Sequence, residues 1–442
     1  MKTGIRQLIA RGLATVNRVQ EAVEDGQMSF AEAEEEILRY TNEVGALMVQ
    51  EVVDGLSEPV VENRIVAGGK EAVYDGKRNL RFINRFGKVT VRQRRCYKYV
   101  DDEGGYYPLD VKLRMEVCGG FSPCLTYLIA LHAVTDSYEE SSKLLSKTLG
   151  YRISSTAVQR NTEQTGAQMA ECPYELISAT KMSEECDLMV VEIDGTMTPQ
   201  ISEKEGVTGR ESLKLPTEYK ECNVVVIEKY SEGERTDHWV GAKYGPRSVF
   251  EEHVRRAALQ MGQIAAKTVA FVADGAHTNW EIQKTNFPGA VAILDFYHAV
   301  EHIGAFCLLY RDKTAGERQK DRWITMMYAG DVLQMIDEMK RAVPSLTEPH
   351  KGMTEFGYFR TNQDRMYYDE YREAGYPMGS GVVEGACKNV VGKRFKGSGM
   401  RWKKADNDYV LRTRLSELNG TLVGFFRPHP LNVTFVAHDA AA

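Results

Sequence analysis

The sequence predicts an α/β core built on a mixed sheet, interrupted by an all-helical insertion and preceded by helical and helix-turn-helix regions. Three observations lead to it. Short apolar runs of the buried-strand kind end at Asp194-Gly195 and Asp274-Gly275, with a helical pattern between them. Residues 299–372 read as helix throughout. Cap-and-breaker pairs mark short helices between Ser122 and Asn161.

At 442 residues the chain is long enough for about two to four domains, and its 43% apolar content can fill real cores. A net charge of −6 excludes a uniformly basic nucleic-acid binder. Charge is uneven, however. Residues 19–62 are acidic, whereas Lys77, Arg78, Arg81, Arg85, Lys88, Arg92, Arg94, Arg95 and Lys98 crowd one segment. That pattern suits local phosphate contacts on an otherwise acidic protein. The eight cysteines, Cys172 among them, form no CxxC pair and read as free thiols of a reducing compartment. With no signal peptide and no apolar run long enough for a bilayer, a cytoplasmic protein is expected, one with access to the chromosome in a bacterium.

In chain order, residues 1–56 read as two helices. Ser29 and Glu32 have capping-box spacing ahead of Ile37, Val44, Leu47 and Val52. Such an acidic hairpin either dimerises or pads a core. Residues 60–117 read as strands and turns, with alternation at Lys88–Arg92. Ser122-Pro123 starts a helix, Ser137 with Glu140 starts another, and Leu149-Gly150-Tyr151 ends it. Ser154 or Ser155 caps a third that holds Val158, Gln159, Arg160 and Asn161. A helix, a short glycine turn and a helix with polar first turns is the helix-turn-helix pattern, which helical pairs that bind nothing share.

Strands follow at 188–193, 222–228 and 238–242, a helix at 246–261, a strand at 268–273, a short helix around Trp280 and a strand at 291–294 ending at Asp295. Trp323, Met326, Met327, Leu333, Met335, Ile336 and Met339 then mark a core stripe in the helical stretch. In Tyr376–Trp402, a run between Gly379-Ser380-Gly381 and Gly397-Ser398-Gly399 reads as one helix. It carries a single acid, Glu384, followed by Lys388, Lys393, Arg394 and Lys396, with Arg401 beyond. Positions 384 and 388 share a helix face. A solvated basic face is the plain alternative. Past Leu418 periodicity fades, and a disordered Ala-rich end is expected.

Three strands, helix, strand, helix, strand and a late acid-bearing helix is the ribonuclease-H-like layout. It places the first strand centrally with the fourth beside it, so Asp194, Asp274 and Glu384 can converge. Each Asp-Gly taken alone is equally a turn. Converging carboxylates suit two Mg2+ or Mn2+ ions, about 3.5–4 Å apart in such sites, which clamp both oxygens of a phosphodiester displacement.

The segments EIDGTM (192–197), FVADGAHTNW (271–280), ILDFYHAVEHI (293–303), Asn362–Tyr368 and YPMGSGVVEGACKNVVGKRFKGSGMRW (376–402) resemble bacterial insertion-sequence transposases of the ISKra-four family, from about Tyr97 to Arg414. The resemblance implies a DDE transposase whose acids are Asp194, Asp274 and Glu384, with a helical insertion before the glutamate as in Mutator-like and hAT transposases. It also implies a Cys-or-Asp, two residues, His signature, matched here by Asp295-Phe296-Tyr297-His298, which would hold DNA near the metals. An interior hydrogen-bonded histidine is the alternative for His298. Tyr97-Lys98-Tyr99 follows Cys96, so no structural zinc is expected.

The resulting organisation is an assembly region at 1–90 and a DNA-binding region at 91–180 that includes Arg160. A catalytic domain at 181–310 and 373–418 is split by the insert at 311–372, and 419–442 forms a tail. The expected activity is cleavage at element ends and joining of the freed 3′-hydroxyls to target DNA by a homo-oligomer on DNA. Lys388, Lys393, Arg394, Lys396 and Arg401 would line the DNA path. A nuclease that cuts without joining, or a domesticated DNA-binding protein, are the rivals.

Overall fold

The structure, a computed structural model, describes residues 3–87, 89–101, 103–171, 185–204, 206–207, 209–427 and 433–435. The chain forms two compact units, Met1–Pro173 with Arg412–Ala442, and Tyr174–Leu411. The expected boundary at 180/181 and Cys172 lie outside the described residues.

The first unit opens with helices α1 (Thr3–Glu24) and α2 (Phe30–Gly55), the second started by the Ser29–Glu32 capping box. Its sheet runs β10-β1-β2-β3-β4, with β1 at Arg64–Ala67, β2 at Lys70–Ile83, β3 at Val89–Tyr99, β4 at Gly105–Tyr106 and β10 at Val433–Phe435. Helix α3 (Pro108–Leu113) follows β4. Then come α4 (Pro123–Ala133), α5 (Tyr138–Leu149) and α6 (Ser155–Glu171). Leu125, Ile129, Leu145, Leu149 and Val158 form one core among these last three helices. Gly150, at φ 72°, takes the left-handed turn that lets α5 stop and the chain re-enter α6.

Three expectations are corrected in this unit. The two helices expected over 1–56 and the strands expected from 60 onward are present, but the expected boundary at 90/91 falls inside β3, whose ladder with β2 joins both sides of that line. On α2 the buried positions are Ala33, Gly45, Ala46 and Val53, while Ile37, Leu47 and Val52 are exposed. Small residues face inward there because the backbone comes close: a Cβ at Gly45 would overlap the Phe86 ring. Residues 419–427 and 433–435 of the expected tail are structured, while the Ala-rich end lies outside the described residues. Helix α18 (Leu422–Phe425) buries Leu422 and Phe425, Arg114 donates to the Phe425 carbonyl at 2.7 Å, and β10 pairs with β1. Backbone pairing with a distant strand leaves no local periodicity to read.

The second unit is a mixed sheet, β7-β6-β5-β8-β9, with helices packed against it. Strand β5 (Cys186–Ile201) is central, antiparallel to β6 (Thr217–Ser231), which is antiparallel to β7 (Glu234–Tyr244). After α8 (Arg247–Gln260), β8 (Ala266–Ala273) runs parallel to β5. After α9 (His277–Asn286), β9 (Val291–Leu294) runs parallel to β8. A one-turn helix, α7 (Gly209–Ser212), lies in the β5–β6 connection. Strand β5 does not stop at Asp194, because its ladder with β6 continues to Ile201.

Helices α10 (Phe296–Cys307), α11 (Lys313–Tyr328), α12 (Val332–Ala342), α13 (Pro349–Asn362) and α14 (Tyr368–Glu373) fill the stretch read as helical. Trp323, Met327, Met335, Met339, Phe356 and Phe359 join the same buried cluster as the strands, so residues 311–372 are part of this core. Leu333 is 67% exposed. It follows Val332 by one residue and falls off the 332/335/336/339 face. The late stretch is the one unbroken helical run expected, Gly381–Phe395, but its middle is π-helical: α15 (Gly381–Ala386), a π-helical turn (Cys387–Gly392) and α16 (Lys393–Phe395). Helix α17 (Lys404–Leu418) follows, and from Arg412 on it is counted with the first unit.

Candidate functional site

The β5–β8 ladder ends at Ile193↔Ala273 and the β8–β9 ladder at Ala273↔Leu294. Asp194, Asp274 and Asp295 are therefore each one residue past the last parallel pair on three neighbouring strands, with Asp194 still paired to Val224 of β6. Asp194 Oδ1 accepts from the Gly195 amide at 2.6 Å and Oδ2 from the Cys387 thiol at 3.5 Å. Asp274 Oδ1 accepts from the Ala276 amide at 3.0 Å and from Asn279 Nδ2 at 2.7 Å. Asn279 is held by Arg247, whose other terminal nitrogen donates to Asn223 at 2.7 Å.

Two buried acids bring the late stretch to this edge. Asp295, 4% exposed, caps α10 through the Tyr297 and His298 amides at 2.7 and 3.0 Å, and its Oδ2 accepts from the Ser380 amide at 3.0 Å and the Ser380 hydroxyl. Glu192, 2% exposed and two residues before Asp194 on the same strand face, accepts from the Val383 amide at 2.9 Å. Its Oε1 is buried without a hydrogen-bond partner. Helix α15 then carries Glu384 into a cleft of about 440 Å3, shared with Asp194, Cys387, Lys388 and Lys396. Asp274 is not part of that lining.

Electrostatics tie the acids together. Burial pushes the Asp194 carboxyl up from its ordinary value, and the Asp274 and Glu384 charges add to the rise. The Gly195 and Cys387 hydrogen bonds oppose it. Glu384 is exposed and paired with Lys388 at 3.1 Å. Among the described residues no three His, Cys, Asp or Glu side chains are gathered as a ready metal cage. Mutual repulsion and the Lys388 pair account for carboxylates that share an edge without closing on one point.

The other predicted residues divide. Lys388, Lys393 and Lys396 are exposed, and Lys396 Nζ reaches Thr196 Oγ1 at 2.5 Å. Arg401 donates to the Leu213 carbonyl at 2.8 Å. Arg394 is corrected as a DNA contact: it is 1% exposed, with its guanidinium 4.7 Å from the Trp402 ring centre. Its place three residues after Val391 turns it inward with the apolar face. Asp295 is corrected likewise, because its oxygens are spent on Ser380 and the α10 cap. His298 is half-buried, 3.6 Å from Glu301 and with its ring 5.3 Å from that of His302, which stacks on Tyr358. Arg160 is exposed on α6 in the first unit.

Sequence reasoning passed over Glu192, Arg247, Asn279 and Tyr358. Glu192 had a visible signal, a lone acid inside the apolar run MVVEI. Tyr358 had none. It comes from α13, and a Cβ at Gly275 would overlap its ring. Burial, then the Asp274 and Asp295 charges, push its phenol far up.

A family model described as "Uncharacterised protein family (UPF0236)" matches residues 23–236. No curated protein matches the chain. A solved structure, the Drosophila P element transposase strand transfer complex, aligns at 12% identity and a TM-score of 0.37, covering 71% of this chain and 97% of that one. Among the described residues no helix is long and apolar enough to cross a membrane.

Two outcomes follow from the buried charges. Burial, with help from Glu228 and Asp295, raises the Glu192 carboxyl from 4.5 to about 7. The folded state thus keeps the proton longer than the unfolded chain. Stability is greatest below pH 4.5 as far as this group is concerned, falls as pH rises to about 7, and above that is lower by about 3 kcal/mol. Glu192→Gln should therefore raise the melting temperature at pH 8 and change it little at pH 5; equal melting of both proteins at pH 8 would refute the assignment. Arg394→Ala should destabilise the fold by about 1–3 kcal/mol in denaturant titration; unchanged stability would overturn its place in the core.

Proposed function

We propose that the chain is a DNA transposase of the DDE type, with a ribonuclease-H-like catalytic unit and an ISKra-four-like organisation. The observation that carries this is the sheet edge. Asp194 and Asp274 lie one residue past the last parallel pair of adjacent strands, and a helix anchored to that same sheet brings Glu384 into the Asp194 cleft.

The donor set is all carboxylate, which suits hard cations such as Mg2+ or Mn2+, and Asp194, Asp274 and Glu384 would hold them. When bound, two such ions lower the pKa of a water and stabilise the attacking and leaving oxygens of a phosphodiester. The protein's own residues prepare that chemistry. Asn279, braced by Arg247, and the Ala276 amide both bind Asp274 Oδ1, which fixes the carboxylate plane and leaves Oδ2 for a ligand. Glu192 and Asp295 set the start of α15, and with it Glu384. Lys388, Lys393 and Lys396 give the exposed side of the late stretch the positive charge that a phosphate backbone needs. Element ends would be bound through the α5–α6 helix-turn-helix, with Arg160 as a contact, and a homo-oligomer would hold both ends.

The test is a cleavage and strand-transfer assay in Mg2+, using full-length protein and duplexes with the DNA that flanks its gene. Asp194→Asn, Asp274→Asn and Glu384→Gln should each abolish cleavage while melting and duplex binding stay near wild type. Full turnover by any variant would remove that residue from the site, and cutting without joining by the wild type would make the protein a nuclease.

A second measurement addresses the helix-turn-helix. Arg160→Ala should weaken binding to the flanking duplexes and reduce the log–log salt slope by about one. An unchanged slope would place end recognition elsewhere.

A further inference from the structure

The first unit's sheet narrows to two strands beyond Tyr74. β1 pairs only with Lys70–Val73 of β2, and β4 only with Tyr97 and Lys98 of β3. From Lys77↔Arg95 to Ile83↔Val89, β2 and β3 form a two-stranded ribbon with its own right to two faces. One face is closed. Leu80 and Phe82 pack with Val49 and Val53 of α2, Arg92 donates to the Val53 carbonyl at 2.6 Å, and Arg94 is paired with Asp110 at 2.5 Å.

The other face is open. Lys77, Asn79, Arg81, Val91 and Gln93 alternate with the buried positions and are exposed. Among the described residues, Lys77, Asn79, Arg81 and Gln93 make no side-chain hydrogen bond or ion pair. The neighbouring cations are committed: Arg78 to Asp75 at 2.9 Å, and Arg95 to the Val61 carbonyl at 2.8 Å and the Tyr74 ring. In a chain of net charge −6, no Asp or Glu occurs from residue 76 to residue 100.

An isolated two-stranded ribbon is marginal in water unless one face is packed. Here α2 supplies that packing and leaves the opposite face for a ligand. The major groove of duplex DNA, about 12 Å wide, admits a two-stranded ribbon. Arginine pairs with guanine O6 and N7, asparagine and glutamine pair with adenine N6 and N7, and an apolar side chain meets the thymine methyl. The open face offers this set on adjacent strands, with a lysine for phosphate. It carries no aromatic platform for unstacked single-strand bases, and the major groove of duplex RNA is too narrow for side chains to read.

We propose that the open face of the β2–β3 ribbon, through Lys77, Asn79, Arg81, Val91 and Gln93, enters the major groove of duplex DNA and reads base sequence there. This rests on the DNA-acting function above and adds a second recognition element, distinct from the helix-turn-helix.

The experiment uses full-length wild type, Arg81→Ala, Asn79→Ala/Gln93→Ala and Lys77→Ala. Each selects from a randomised duplex library, and affinities for the wild-type motif and for random duplex are measured at several salt concentrations. Arg81→Ala and the double variant should each lose at least one base-pair position from the selected motif and bind the wild-type motif about tenfold more weakly, with random-duplex affinity far less affected. Lys77→Ala should weaken both duplexes alike and reduce the salt slope by about one. Identical motifs and affinities in all four proteins, or a wild type that selects no motif, overturn the proposal. Cleavage in Mg2+ by the same proteins separates the two ideas. A wild type that selects through the ribbon but never cuts removes the transposase function alone, and one that cuts while the variants select normally removes the ribbon alone.

Discussion

Two buried carboxylates hold the first turn of α15, and the place of Glu384 depends on them. The first turn of this helical run leaves its leading amides without intrahelical partners, and they need acceptors. Asp295, from the end of β9, takes the Ser380 amide and hydroxyl. Glu192, from the middle of β5, takes the Val383 amide. Negative charge at a helix N-terminus also suits the dipole. The cost is two acids out of water, and it shows in the raised Glu192 carboxyl.

The same economy governs the strand ends. Parallel register forces Asp194 and Asp274 side by side, and their repulsion is answered by local donors rather than by distance. Gly195 and Cys387 serve Asp194, while Ala276 and Asn279 serve Asp274. Arg247 stands behind Asn279, and α13 closes the site by laying Tyr358 on Gly275. Carboxylates held this close against their mutual repulsion are what the proposed cation site requires. The helical stretch before Glu384 belongs to this economy as well, since its Trp, Met and Phe residues complete the sheet's own core.

In the first unit the governing constraint is one-sided packing. Helix α2 presents Gly45 and Ala46 closely to its surroundings and Val53 to the ribbon's inner face. With that face filled, the outer residues of β2 and β3 carry no packing duty and are free to be polar and cationic.

The sequence alone determined the parts whose signal is local. Cap and breaker chemistry set the starts of α2, α4 and α5 and the stop at Gly150. Apolar runs marked β5, β8 and β9, and the Asp-Gly pairs marked the acids of the first two. Tertiary structure decided what local pattern cannot carry. Arg394 and Asp295 looked like exposed functional groups and are buried, because burial is settled by Trp402 and Ser380, which reach them through folding. Glu192 became a clamp only when Val383, 191 residues away, arrived above it. Strand β10 and the Tyr358 contact likewise depend on partners far along the chain. Periodicity reports which face a residue occupies, and only the packed fold decides what meets that face.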